Sequence, residues 1–266
     1  MVSAWLLEHE ASVRLAFFVS LFVLLGIAQW RWPRRRDPMP ASRSLTNLAL
    51  VVIDTLALRL LLPLLAFDLA IQMQHADSGV LNQLPTAAGL LVGLLILDLS
   101  IYWQHRLFHV VPFLWRLHRV HHADVTLDVT TAVRFHPFEI VLSMVIKLGV
   151  IAALGVPPLA VLVFEILLNA GALFTHSNLG LRGTLDKRLR WLLVTPDMHR
   201  IHHSVHEDES NQNFGFHLTL WDRLFGSYRD EPRDGHTTMQ IGLTQFRDER
   251  SQTLWGLLSN PFRTGR

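Results

Sequence analysis

Residues 98–122 read DLSIYWQHRLFHVVPFLWRLHRVHH, and the fold follows from how they are read. Five histidines, His105, His109, His118, His121 and His122, fall within eighteen residues, spaced HxxxH and then HxxHH. Residues three and four apart share a helix face. His105 and His109 therefore point one way together, as do His118, His121 and His122. Neutral imidazole is a common metal ligand, suited to zinc, copper, iron and nickel. A histidine-rich stretch can also be plain polar surface. Against that stands a repeat: residues 118–122 read HRVHH and residues 199–203 read HRIHH. A solvated surface has no reason to reproduce His118, His121 and His122 as His199, His202 and His203. These eight histidines are too many for one tetrahedral ion. They predict a two-metal centre.

The surrounding composition places that centre at a membrane. The chain has 266 residues, 50% hydrophobic and only 17% charged, with a mean hydropathy of +0.28. That is too apolar for an ordinary soluble domain. With no cysteine, disulfides, iron–sulfur clusters and thiolate zinc sites are excluded, so nitrogen and oxygen must hold any metal. The net charge of +2 says less than where the basic residues fall.

Residues 13–30 form an apolar run long enough to span a bilayer. Its positive charges follow it and no small-residue cleavage site is evident, which argues against a signal peptide. Residues 31–36, RWPRRR, mark the cytoplasmic side, so the N-terminus is expected outside. A second stretch, 45–74, is interrupted by Asp54, Arg59 and Pro63. An ionisable residue there is either functional or paired, and Asp54 and Arg59 are expected to pair with each other or with the bundle. Residues 75–85 read as an outer loop without lysine or arginine, and 86–103 as a third span. Asp98 precedes His105 by two helical turns on nearly the same face. It reads as an acceptor for a ligand imidazole N–H, or as a buried packing residue.

Arg106, Arg116, Arg119 and Arg134 keep segment 105–137 inside. Residues 138–154 and 157–174 form a hairpin of spans around Gly155-Val156-Pro157-Pro158, with Lys147 and Glu165 facing the bundle. The chain then returns inside at His176-Ser177-Asn178. Arg182, Lys187, Arg188 and Arg190 form a basic stretch that lies on the membrane surface or is a solvated helix face. The predicted fold is all-α: an integral-membrane helical bundle of four to five transmembrane spans with a cytoplasmic histidine-rich helical cap. Its expected parts are an N-terminal transmembrane region (1–90), a catalytic domain (91–230) and a C-terminal cytoplasmic tail (231–266). Residues 229–266 carry no further signal. His9, His75, His206, His217 and His236 lie in no face-sharing cluster and are not expected as ligands.

The motifs together resemble the fatty acid hydroxylase and sterol desaturase superfamily of integral-membrane di-iron oxygenases. The resemblance covers roughly residues 90–230. It rests on Asp98-x3-Tyr102-x2-His105-Arg106-x2-His109 and on Trp115-Arg116-x-His118-x2-His121-His122. His136-Pro137-x-Glu139, His176-x-Asn178 and His199-x2-His202-His203 follow, then Asn213-Phe214-Gly215 and residues 221–226, WDRLFG. It implies two iron ions held by the histidine clusters, with O₂ activated for hydroxylation or desaturation of a lipid. It also implies electrons from a separate donor, ferredoxin-like or a b-type cytochrome with its reductase. Some members carry a further HxxxH pair between the second and third clusters. Here Ala172 stands four residues before His176, so that pair is incomplete. His136, or a water held by Asn178 or Asn213, could complete the set that includes His176. The first 90 residues match only in being apolar.

Side chains alone cannot break an unactivated C–H bond; a redox metal with O₂ can. Arg106, Arg119 and Arg200 either hold lipid headgroups or pair with acidic neighbours such as Asp124 and Asp197, the latter being favoured. A membrane zinc hydrolase would show HExxH, but Arg106 and Arg200 follow the relevant histidines. A non-enzymatic metal carrier would place histidines within the spans; here they gather at the inner ends. The expected protein sits in an inner or plasma membrane with its site on the cytoplasmic side, and binds no nucleic acid. The sequence does not name the lipid.

Overall fold

Prolines set where the site-bearing helices begin. The computed structural model describes residues 2–264, and Pro112, Pro137, Pro158 and Pro196 each open a helix in it. Proline suits that position because its fixed φ is already helical and its missing N–H would have had no partner there. The helices in order are α1 (Val2–Glu8), α2 (Glu10–Arg31), α3 (Ala41–Leu61), α4 (Ala66–His75), α5 (Thr86–Val110), α6 (Pro112–His122) and α7 (Pro137–Leu154). They continue with α8 (Pro158–His176), α9 (Gly183–Leu189), α10 (Pro196–His202), α11 (Glu207–Ser210), α12 (Leu220–Leu224) and α13 (Leu254–Ser259). The described residues contain no β-strand, only isolated bridges. The fold is all-α, as predicted.

Five segments are long and apolar enough to cross a membrane: α2, α3 with α4, α5, α7 and α8. Pro63 interrupts the second, where the missing N–H and the ring end α3 before α4 resumes. In α8 half of the apolar window is buried, against 6% in α2, so α8 is the centre of the bundle and α2 its flank. Ala160, Val161, Leu162 and Phe164 of α8 pack with Leu97 and Ile101 of α5, Met144 and Ile151 of α7, and Ala66, Phe67 and Ala70 of α4. Outward, Leu15, Phe17, Val19, Val23 and Leu24 of α2 and Val52, Leu56 and Leu60 of α3 are exposed. So large an apolar surface finds its solvent in lipid.

Backbone pairings fix which helix ends lie together. Arg34 N–H donates to Asn178 O at 2.8 Å and Gly180 N–H to Trp32 O at 2.8 Å. At the other end Leu81 N–H donates to Leu154 O at 2.9 Å. There Gly79 and Gly155, with φ of +91° and +65°, approach so closely that a Cβ on Gly79 would lie 2.3 Å from Gly155 N. Only glycine meets both demands. These contacts give the alternation that five spans require.

Within the spans Lys147 Nζ (α7) lies 2.9 Å from Glu165 Oε1, and Arg14 Nη1 (α2) lies 3.0 Å from Glu165 Oε2. One carboxylate of α8 thus joins three spans. The expected Asp54–Arg59 pair does not form: Arg59 is exposed, and neither residue has an ion-pair partner among the described residues. Residues five apart on an α-helix differ by about 140° in direction, so the two cannot share a face. Part of the C-terminal segment packs on the bundle. Leu257 packs on Val120 of α6 and Leu50 of α3, and Asn260 Oδ1 accepts from Arg119 Nε at 2.7 Å. Replacing Glu165 with leucine leaves the buried Lys147 ammonium unpaired, while Arg14 keeps Glu10 at 3.0 Å. It is expected to cost about 3–5 kcal/mol, read as a lower unfolding temperature in detergent, with partial recovery in the Lys147→Met/Glu165→Leu double variant.

Candidate metal centre

Helices α5 and α6 form a tight hairpin because Pro112 opens α6 directly after Val110 closes α5. His105 and His109 stand one turn apart on α5, and His118, His121 and His122 line the inner face of α6. The C-terminus of α8 brings His176. Thr195 caps α10 by accepting from Met198 N–H at 3.3 Å, and α10 carries His199 and His202 and ends at His203. Nine imidazoles meet in two groups. His105, His109, His118, His122 and His202 form one, and His121, His176, His199 and His203 the other. Within each group the candidate ligand nitrogens lie within 4.8 Å of one another. The groups adjoin, with the rings of His122 and His203 stacked at 4.4 Å.

Five of these rings have their Nδ1 fixed by an acceptor. His105 Nδ1–H donates to Phe214 O at 2.9 Å, His121 to Arg134 O at 3.2 Å, His176 to Ala172 O at 2.7 Å and His202 to Gln212 O at 2.8 Å. His118 Nδ1–H donates to Glu139 Oε1 at 2.6 Å. A carbonyl can only accept, so each of those Nδ1 atoms carries the proton and each Nε2 presents a lone pair. Yet His121 Nε2 and His176 Nε2 lie 3.0 Å apart. Two lone pairs facing one another at that distance repel unless a cation lies between them. The Nε2 atoms of His105, His118 and His202 are buried without any partner, and so are both ring nitrogens of His203. A protein leaves so many buried polar atoms unsatisfied only where something else serves them. The donor set therefore fits metal ions, and an all-nitrogen shell suits a borderline first-row metal.

Burial keeps the rings neutral. It pushes the His118 pKa down to about 3. It also holds His121, His122, His199, His202 and His203 well below the usual histidine range, with their crowded imidazole neighbours adding to the effect. Neutral imidazole is the form that ligates.

The acceptors are themselves held in place. Asn213, at φ +55°, donates through Nδ2 to Met198 O and Arg229 O, both at 3.0 Å. Asp222 accepts from Phe214 N–H at 2.8 Å, Gly215 N–H at 2.9 Å and Ser227 Oγ at 2.7 Å. The Asn213-Phe214-Gly215 and Trp221-Asp222 motifs thus build the loop that offers the Gln212 and Phe214 carbonyls. Arg134, fully buried, donates to Val120 O, Asn47 Oδ1 and Gln252 Oε1, and so fixes the carbonyl that His121 uses.

Several expectations need correction. His136 stands apart from both groups as the N-cap of α7. Its Nδ1 accepts from Phe138 N–H at 3.2 Å and its Nε2 donates to Leu258 O at 3.1 Å, which leaves no free nitrogen for a metal. Asp98 accepts from His217 Nδ1 at 2.6 Å and Trp221 Nε1 at 2.8 Å, not from a ring of either group. Ala172 supplies no imidazole, but its carbonyl orients His176. Asn178 accepts from Arg35 N–H and, with Asn213, is occupied by backbone groups. Arg200 pairs with Asp197, but Arg119 bonds Asn260 and not Asp124, which is bound to Arg43 at 2.6 Å. Arg106 donates to Tyr102 Oη at 3.3 Å. His206, His217 and His236 lie outside both groups, as do His9 and His75. The acceptors Arg134 O, Gln212 O and Phe214 O left no trace in the sequence, since any residue supplies a carbonyl. Glu139 was visible as part of a motif, without its role.

Residues 90–227, just over half of the chain, match the family model of the fatty acid hydroxylases. An ornithine lipid hydroxylase of Rhizobium tropici is 34% identical over 165 residues, covering 61% of this chain and 48% of that protein. An alkylglycerol monooxygenase of Xenopus tropicalis is 27% identical over 227 residues, 81% of this chain and 46% of that protein. A cholesterol 25-hydroxylase of Rattus norvegicus is 26% identical over 245 residues, 84% of this chain and 80% of that protein. The chain thus spans about half the length of the first two relatives. No solved structure matches it. Five apolar helices and the match to membrane-enzyme relatives make this an integral membrane protein, and the chain belongs to the fatty acid hydroxylase family.

Proposed function

We propose that the chain is a di-iron oxygenase that hydroxylates a lipid, using O₂ and electrons from a separate donor. The observation that carries this reading is the pair of adjoining imidazole groups, in which the Nε2 lone pairs of His121 and His176 face one another and those of His105, His118 and His202 have no partner. His105, His109, His118, His122 and His202 would hold one iron, and His121, His176, His199 and His203 the other. Iron, when bound, supplies the oxygen-activating redox chemistry that side chains lack. Hydroxylation is preferred over desaturation because the relatives named above are hydroxylases and monooxygenases. The donor would be ferredoxin-like or a b-type cytochrome with its reductase, reaching the site from the cytoplasm.

The residues around the groups divide the remaining work. A cavity of about 360 Å³ lies among α2, α3, α5, α7 and α8, with His105 and His118 on its wall. Ile101, Phe108, Met144, Leu168 and Phe216 make much of its lining apolar, so it accepts a hydrocarbon chain and keeps water away. Glu139 lines the same cavity and holds His118 by its Nδ1–H, fixing the ring so that Nε2 faces inward.

Protein purified in detergent after iron-replete expression should contain about two irons per chain, the number of imidazole groups. Stoichiometric zinc without iron would instead favour a hydrolase, and exchangeable mixed metal a carrier. Replacing His202 with alanine should abolish lipid oxidation and lower metal content while the protein still inserts. Replacing His136, a helix cap, should leave metal content unchanged and cost about 1 kcal/mol of stability. A His202→Ala protein with full lipid-oxidising activity would end the di-iron reading. Reporter fusions after residues 40, 80, 125, 156 and 210 should read inside, outside, inside, outside, inside; an outside reading at 125 would remove the route for cytoplasmic electrons.

A further inference from the structure

The cavity beneath the histidines is not apolar throughout. On its α3 wall stands Asp54, 7% exposed, whose Oδ1 is enclosed and has no hydrogen-bond partner among the described residues. Away from the imidazole groups, several other polar side chains of the cavity have partners. Lys147 and Arg14 pair with Glu165, Gln104 Nε2 donates to Ser143 Oγ at 2.9 Å, and Asn169 Nδ2 donates to Glu165 O at 2.9 Å. Glu139 spends one oxygen on His118, and its Oε2 is unpartnered like Asp54 Oδ1. A carboxylate inside a span is costly to keep and is retained where it meets a partner or a ligand. Arg59, the nearest cation along α3, is exposed and turned away. Asp54 faces a space of molecular size with its acceptor free.

We infer that Asp54 anchors the substrate, and that the substrate is a lipid carrying a hydroxyl or ammonium group. That group donates to the Asp54 carboxylate, and the hydrocarbon next to it lies along Ile101, Met144 and Phe216 towards His105 and His118. The identification of the bound lipid as substrate rests on the oxygenase reading above. The inference narrows the substrate class: a chain with no hydrogen-bond donor leaves Asp54 unserved. Asp54 acts as a positioning residue, fixing which carbon is presented without touching the reacting atoms.

The test is photolabelling of the full-length protein in detergent with three diazirine probes of equal chain length: a primary alcohol, a primary amine and the corresponding hydrocarbon. Labelling of the peptides containing Ile101 and Met144 is read by mass spectrometry. In the unaltered protein the alcohol, the amine or both should label about fivefold or more above the hydrocarbon, the effect of one hydrogen bond. Asp54→Leu should remove the preference. Asp54→Asn keeps the shape without the charge and should retain an alcohol preference while losing an amine preference, which tells hydroxyl from ammonium. If the leucine variant does not remain monodisperse, the asparagine variant carries the test through its amine labelling. Equal labelling by all three probes in the unaltered protein, or a preference that survives Asp54→Leu, overturns the inference. Labelling requires neither metal nor turnover. A protein that selects donor probes but holds no iron would refute the oxygenase reading alone; one that holds iron and oxidises lipid while ignoring Asp54 would refute the anchor alone.

Discussion

Imidazole lone pairs that face one another inside a low-dielectric core are the constraint on which the rest of this structure depends. His121 Nε2 and His176 Nε2, 3.0 Å apart with their Nδ1 protons committed to carbonyls, cannot coexist comfortably as neutral rings alone. Protonating one ring would relieve the contact, but burial opposes that charge. The surroundings are therefore arranged to hold the rings against their own repulsion. Arg134 fixes one acceptor through three hydrogen bonds, Asp222 fixes the loop that supplies another, and Glu139 holds a third ring directly. These supports come from segments far apart in sequence.

A second buried system stands behind the first. Arg43 of α3 binds Asp124 at 2.6 Å and Asp128 at 3.0 Å, and Asp124 also accepts from Thr131 Oγ1 at 2.9 Å. Asn47 Nδ2 donates to Thr130 Oγ1 at 3.0 Å, and its Oδ1 accepts from Arg134. The loop that follows α6 is thereby tied to the start of a span. A buried ion pair of this kind contributes little net energy over an apolar contact, but it tolerates few alternative geometries. Its effect here is registration: it fixes α6 relative to the bundle, and α6 carries three of the nine imidazoles.

How much of this was legible in the sequence depends on whether the signal was local. The Gly155–Pro158 turn, apolar runs of span length and histidines at helical spacing are local facts, and they gave the spans, the hairpin of α7 and α8 and the repeated HR[V/I]HH faces. His136 was misleading because a sequence shows that a ring is present but not which atoms its nitrogens meet. Asp98 lies on the expected helix face, yet its partners come from residues 217 and 221, which no spacing rule connects to it. The backbone acceptors were invisible for a deeper reason: carbonyls are common to all residues, and only the tertiary path decides which one points at an imidazole. The packing of residues 249–262 on α6 escaped notice because its elements are too short to show a period.

The docking of Leu257 and Asn260 on α6 bears on the order in which the protein is made. All five spans precede residue 177 in the chain, and His199, His202 and His203 follow them. The segment that braces Arg119 comes later still. Synthesis proceeds from the N-terminus, so the bilayer-crossing helices can partition into lipid while the imidazole groups are still incomplete. The first five of the nine grouped histidines emerge on the α5–α6 hairpin with their set about half formed. Closure of the imidazole groups comes late in biogenesis, once α10 has packed on α8 and the C-terminal helix on α6.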